Sequence, residues 1–139
     1  MLKIVDKHIQ ITRGNMLPIH VFADDVVVGN DYEFQAGDIL RFKIFDPKDP
    51  NKVYLTKDFK IESACTETDI MMTADEMKIG PMYDKKQKIY EYWWEIELNP
   101  DTPNTQTIVG FDLDEQGKED PAVITILPEG GDNQGGDEE

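Results

Sequence analysis

Tyr90-Glu91-Tyr92-Trp93-Trp94-Glu95-Ile96-Glu97-Leu98 decides the fold class. Tyr90, Tyr92, Trp94, Ile96 and Leu98 recur at every second position, and Glu91, Trp93, Glu95 and Glu97 fall between them. A period of two puts the first set on one face of a β-strand and the second on the other. The first set reads as core. Among the second set Trp93 is out of place, because a large aromatic on an outward face needs a cover from a loop, a subunit or a ligand.

Working outward from this strand, the same alternation returns. Leu40, Phe42 and Ile44 alternate with Arg41 and Lys43. Ile9 and Ile11 alternate with His8, Gln10 and Thr12, and Leu17, Ile19 and Val21 with Pro18 and His20. Weaker candidates are Val26–Val28, Asp31–Phe34, Val53–Phe59, Cys65–Met72, Thr105–Phe111 and Ala122–Leu127. Turn chemistry separates them at Arg13-Gly14-Asn15, Gly29-Asn30, Ala36-Gly37-Asp38, Asp46-Pro47-Lys48-Asp49-Pro50-Asn51, Asn99-Pro100-Asp101-Thr102-Pro103-Asn104 and Glu115-Gln116-Gly117-Lys118. About seven to nine short strands at this spacing predict an all-β antiparallel sandwich or barrel. The inward set should include Leu40, Phe42, Ile44, Tyr92, Trp94, Ile96 and Leu98. Glu95 and Glu97, about 7 Å apart on one strand face, are placed to lie opposite Arg41 and Lys43 across strands.

One segment breaks the period. Thr73-Ala74-Asp75-Glu76 is a capping box, in which Thr73 accepts from the Glu76 amide and the Glu76 carboxylate reaches back. It predicts at most one short helix near Ala74–Ile79, with Met77 and Ile79 facing the core and Gly80-Pro81 stopping it. At the other end, Glu129 to Glu139 holds five acids, four glycines and no apolar residue. Such a stretch buries nothing to offset its ordering entropy. The expected division is therefore a sandwich domain over 1–129 and a disordered acidic glycine-rich tail over 130–139.

Charge narrows the partners. Fourteen Lys and Arg face 29 Asp and Glu in 139 residues, for a net charge of −15. A phosphate backbone or an anionic membrane surface needs clustered cations, which are absent, so neither nucleic acid nor membrane is an expected partner. An acidic mimic of nucleic acid is a weaker use of the same charge. The first residues carry charges where a signal peptide needs an apolar stretch, and no apolar run approaches the length of a spanning helix. Repulsion should keep the protein a monomer or small oligomer in isolation, with high salt promoting association between copies.

Chemistry is sparse. Cys65 is the single cysteine and has no basic neighbour to activate it, so a structural role is expected. His8 and His20 fall at outward strand positions. No nucleophile elbow, phosphate-cradling glycine loop or zinc-protease helix is present. Asp112-Leu113-Asp114-Glu115-Gln116-Gly117 imitates the first half of an EF-hand loop, but its twelfth position is Val123 rather than a bidentate Glu. No catalytic, cofactor or metal residue is assigned, and a non-enzyme is expected.

The order of motifs resembles a known family. Ile11-Thr12-Arg13-Gly14-Asn15 comes first, then Tyr32 to Phe42 with Gly37-Asp38-Ile39-Leu40-Arg41-Phe42, then Thr73 to Glu76. Tyr90 to Leu98, Asn104 to Gly110 and Ile124 to Glu129 follow. Together, over about residues 9–129, they are similar to the Ig-like β-sandwich domains of phage and prophage tail proteins, typified by the N-terminal domain of baseplate upper proteins. The resemblance implies a non-catalytic structural or adaptor module of a virion tail, made in the host cytoplasm. Its partners would be other tail or baseplate proteins or its own copies. The family has no shared catalytic residues to carry over. The alternative is a carbohydrate-binding sandwich using Trp93 or Tyr83, with Ca²⁺ held by loop acids at Asp24-Asp25 or along Asp112 to Asp120.

Overall fold

The computed structural model describes residues 2–5, 7–23, 33–80, 89–103 and 105–129. They form an all-β sandwich of eleven strands: β1 (Leu2–Val5), β2 (His8–Thr12), β3 (Leu17–Phe22), β4 (Ile39–Asp46), β5 (Asp49–Lys60), β6 (Glu67–Met72), β7 (Tyr90–Leu98), β8 (Gln106–Val109), β9 (Asp112–Leu113), β10 (Glu119–Asp120) and β11 (Val123–Leu127). The larger sheet runs β1-β2-β11-β7-β4-β5, with β8 added to β7. The second sheet is β3-β6, and β9-β10 is a small hairpin. The candidates at 26–28 and 31–32, and the tail from Gly130, lie outside the described residues; Phe34 forms an isolated bridge with Cys65.

The inward residues meet as the alternation requires. Leu40, Phe42, Ile44, Tyr92, Trp94, Ile96 and Leu98 are all buried, and one cluster joins them to Ile9, Ile11, Leu17, Ile19, Val21, Ile70, Met72, Ile124 and Ile126. Phe42 and Trp94 stack in its centre with centroids 5.9 Å apart. The Trp94 indole Nε1 donates to the carbonyls of Lys7 (3.0 Å) and Val123 (3.3 Å), which satisfies its one polar atom inside the core. Cys65 is half-buried against the same cluster.

Four details differ from the sequence reading. The sheet is not wholly antiparallel: β11 runs parallel to β2, in register Ile124↔Ile9 and Ile126↔Ile11. Alternation dictates a strand and its inward face but leaves partner and direction open, so a first and a last strand side by side satisfy it equally. Tyr90 is not core but 47% exposed, because β4 ends opposite Trp93 and leaves the start of β7 uncovered on that side. Strands β1, β9 and β10 went unread; β9 and β10, two residues each, are too short to show a period. Finally, the capping box forms, with Thr73 N to Glu76 Oε1 at 2.8 Å and Glu76 N to Thr73 Oγ1 at 3.2 Å. It closes one turn rather than a helix, yet buries Met77 and Ile79 as expected.

Loops tie the ends together. The Arg13 amide donates to the Leu127 carbonyl, and the Arg13 side chain holds the Gly80 carbonyl (3.0 Å) and Glu129 (2.6 Å). Gly80 sits at φ 88°, and a Cβ there would lie 2.9 Å from the Tyr92 hydroxyl, so both backbone and space require glycine. Replacing Trp94 with Ala should cost about 3–5 kcal/mol, since it empties the core centre and frees two carbonyls. Urea unfolding of the two proteins measures it; a loss under about 1 kcal/mol would show that the core does not depend on this ring.

Candidate functional site

The outer face of the larger sheet carries the residue that the sequence singled out. Trp93 points outward from β7 and its nearest neighbours across the sheet are Phe45 on β4 and Val123 on β11. Phe45 is in turn paired with Val53 on β5. Paired residues share a face, so Val53, Phe45, Trp93 and Val123 form a transverse apolar row across four strands. Phe111, just past β8, lies over the row with its ring 5.5 Å from that of Trp93 at 31°, and Phe45 meets Trp93 edge-on at 6.5 Å. Trp93 is therefore half-buried by its own chain, while Phe111 and Val53 stay 50% and 42% exposed.

Around this row the outer face is ionic. Arg41 faces Glu97, and Lys43 faces Glu95; that these four residues oppose one another was expected, and the register is set by the sheet. Lys43 lies 3.4 Å from Glu95 and 3.6 Å from Glu97. Arg41 turns instead to its other neighbour, Asp58, in a two-pronged contact of 2.8 and 3.1 Å, and reaches Asp101 at 3.0 Å. That grip holds the Asp58 carboxyl below the usual carboxylate range. Burial pushes the Glu95 carboxyl up, with Lys43 pulling against it and Glu97 adding to it. The ladder sets ion pairs beside the apolar row, which itself carries no charge.

The acidic loop after Phe111 serves structure. Asp112 accepts from the Leu113 amide within β9, and Asp114 accepts from the amides of Gln116 and Lys118, which caps the β9–β10 turn. Lys7 spans the Asp120 carboxylate (3.2 Å) and the carbonyls of Asp120 and Gly110. Among the described residues no group of three or more His, Cys, Asp and Glu is placed to hold a metal ion. Tyr83 and Asp24-Asp25 lie outside the described residues.

On the second sheet His20 has both ring nitrogens on carboxylates, Nδ1 on Asp69 at 2.5 Å and Nε2 on Glu67 at 2.8 Å. Its edge meets Phe22 at 4.7 Å. Sequence placed His20 outward but could not show this clasp, because β3–β6 register is needed to bring Asp69 opposite it. Phe45 and Phe111 were likewise missed. Phe45 did leave a signal, an apolar residue in the polar register of β4; Phe111 left none, since it stands beyond a strand end.

No family model matches the chain, and no curated protein and no solved structure matches it either.

The clasp has a testable sign. Hydrogen bonds from Asp69 and then Glu67 raise the His20 pKa above its ordinary 6.5. The stability it adds is thus complete below about 6.5 and lost as pH rises through the folded value. Asp58 and Glu76 act oppositely: their lowered values give stability above the ordinary 3.8 and 4.5 that fades on acidification. Following the His20 ring by NMR should show a midpoint above 6.5 that falls in Asp69→Asn. An unchanged midpoint in that variant would show that the clasp does not form in solution.

Proposed function

We propose that this chain is a non-catalytic binding module, an Ig-like structural or adaptor domain of a phage or prophage tail that joins protein partners. One observation carries the binding part of this reading: the row Val53–Phe45–Trp93 under Phe111, half-covered and uncharged, beside a ladder of ion pairs on the same face. Half-exposed aromatics at the centre of a polar rim are the composition of a protein contact. Two sequence-distant aromatics, Phe45 and Phe111, hold Trp93 in a fixed orientation, which limits the ordering cost of binding.

The Ig-like part is supported by strand order, β2-β11-β7-β4-β5 opposite β3-β6, which suits a variable-type Ig-like sandwich with its extra strand beside β4. The tail part rests on the resemblance in motif order. With net charge −15, the matching partner face would be apolar at its centre and basic at its rim, which also speeds encounter.

Among the described residues no helix is long and apolar enough to cross a membrane. The test is incorporation into particles. Phe111→Asp removes a half-exposed ring packed on Trp93 and should cost about 0.5–1.5 kcal/mol in urea unfolding while leaving the chain folded. Mass spectrometry of purified phage particles from the source host should find the parent chain in them and the Phe111→Asp chain strongly depleted. Particles lacking the parent chain would overturn the tail assignment. Equal incorporation of both would overturn the assignment of the contact to this face.

A further inference from the structure

A second feature lies at the end of the same sheet and uses different residues. Strand β4 pairs with β7 from Leu40↔Leu98 to Phe45↔Trp93 and then turns away at Asp46-Pro47-Lys48-Asp49. Strand β7 runs on past that point, with Tyr92, Glu91 and Tyr90 paired to β11. The mismatch in length leaves a notch between the β4–β5 hairpin and the start of β7, an open cleft of about 760 Å³. That volume falls in the range of small-molecule sites.

Tyrosines make the walls. Between the pairs Ile44↔Leu55 and Phe45↔Val53 the extra residue of β5 is Tyr54, so a β-bulge aims it out of the regular ladder. Its ring meets that of Tyr92 at 4.9 Å and 70°, and its hydroxyl reaches Asp46 at 3.5 Å. Lys52 Nζ sits 5.6 Å over the Tyr54 ring. Opposite them, Tyr90 and Ile89 line the cleft while 47% and 59% exposed. These are large ring and apolar faces left open to solvent in a concave place.

The polar lining is mixed and balanced. Asp46 and Glu91 offer carboxylate acceptors, Lys48 and Lys52 offer ammonium donors, and Gln10 and Thr125 offer both functions. Among the described residues neither lysine is ion-paired, although acids outnumber cations two to one in the chain. A local net charge near zero in a molecule of −15 disfavours anions and gives cations no special hold. Donors and acceptors in equal supply beside flat rings suit a ligand with many hydroxyls and an apolar C–H face.

We propose that this notch binds a neutral oligosaccharide, with a pyranose ring laid against Tyr90 and Tyr54 and its hydroxyls held by Asp46, Glu91 and the two lysines. The site goes beyond the protein contact assigned to Trp93 and does not use it. An array of neutral and acidic glycans probed with the full chain should give signals from neutral members. The best responder, titrated by NMR, should shift the resonances of Tyr54, Tyr90 and Tyr92. Tyr90→Ala, at an exposed position, should fold normally and bind roughly tenfold more weakly, the scale of one lost aromatic contact. Glu91→Gln should weaken binding as a second, isosteric variant, and Phe111→Asp should leave it unchanged. No neutral glycan binding, binding of acidic glycans alone, or binding kept in both notch variants would each overturn the proposal. Loss of glycan binding in Phe111→Asp with none in Tyr90→Ala would overturn it too, by placing the sugar on the other site.

Discussion

Strand β7 is paired on both sides, and the rest of the structure follows from that constraint. With β4 on one flank and β11 then β8 on the other, its backbone donors and acceptors are used within the sheet. Each side chain must then go to one face or the other. Tyr92, Trp94, Ile96 and Leu98 go inward and meet Phe42, Ile44 and Ile124. The Trp94 indole binds carbonyls just before β2 and on β11, so the core residue also ties the first part of the chain to the last.

The outward face of the same strand accounts for most of the chemistry on the surface. Glu95 and Glu97 meet Lys43, and the neighbouring Arg41 is shared between Asp58 and Asp101. Such pairs add little stability each, because solvent screens them. Their consequence is placement: charges are locked into neighbours along the ladder, and the row through Trp93 is left without any. Other described acids are also engaged, Asp114 in the β9–β10 turn and Asp69 and Glu67 in the clasp on His20.

Both candidate sites arise where regular pairing stops. Phe111 covers Trp93 only because the chain leaves β8 at Val109 and crosses the sheet face. The notch exists only because β4 is shorter than β7 at that end, and Tyr54 enters it only because of a bulge. A perfectly matched sheet would have had neither. Strand ends and bulges re-aim side chains at the cost of only a local break in the ladder, so they are natural places for recognition on a rigid frame.

Much of this frame was legible in the residues alone. Period two in β7, β4, β2 and β3 identified strands and inward faces, because the pleat makes side-chain direction a local property. The capping box at Thr73 and the turn begun at Asp46 were legible for the same reason, since their hydrogen bonds join residues a few positions apart, although the turn read as far as Asn51 gives way to β5 at Asp49. The outward faces of Lys43 and Glu95 were legible too, but that the two lie directly opposite each other is a matter of β4–β7 register, which alternation leaves open. What only the tertiary structure decided depends on distance in sequence: that β11 lies parallel to β2, that β4 stops opposite Trp93 and leaves Tyr90 exposed, that Phe111 shields Trp93, and that Asp69 closes on His20. Local periodicity says which way a side chain points. Which strand lies beside it, and how far that strand extends, is set by the packing of the whole core.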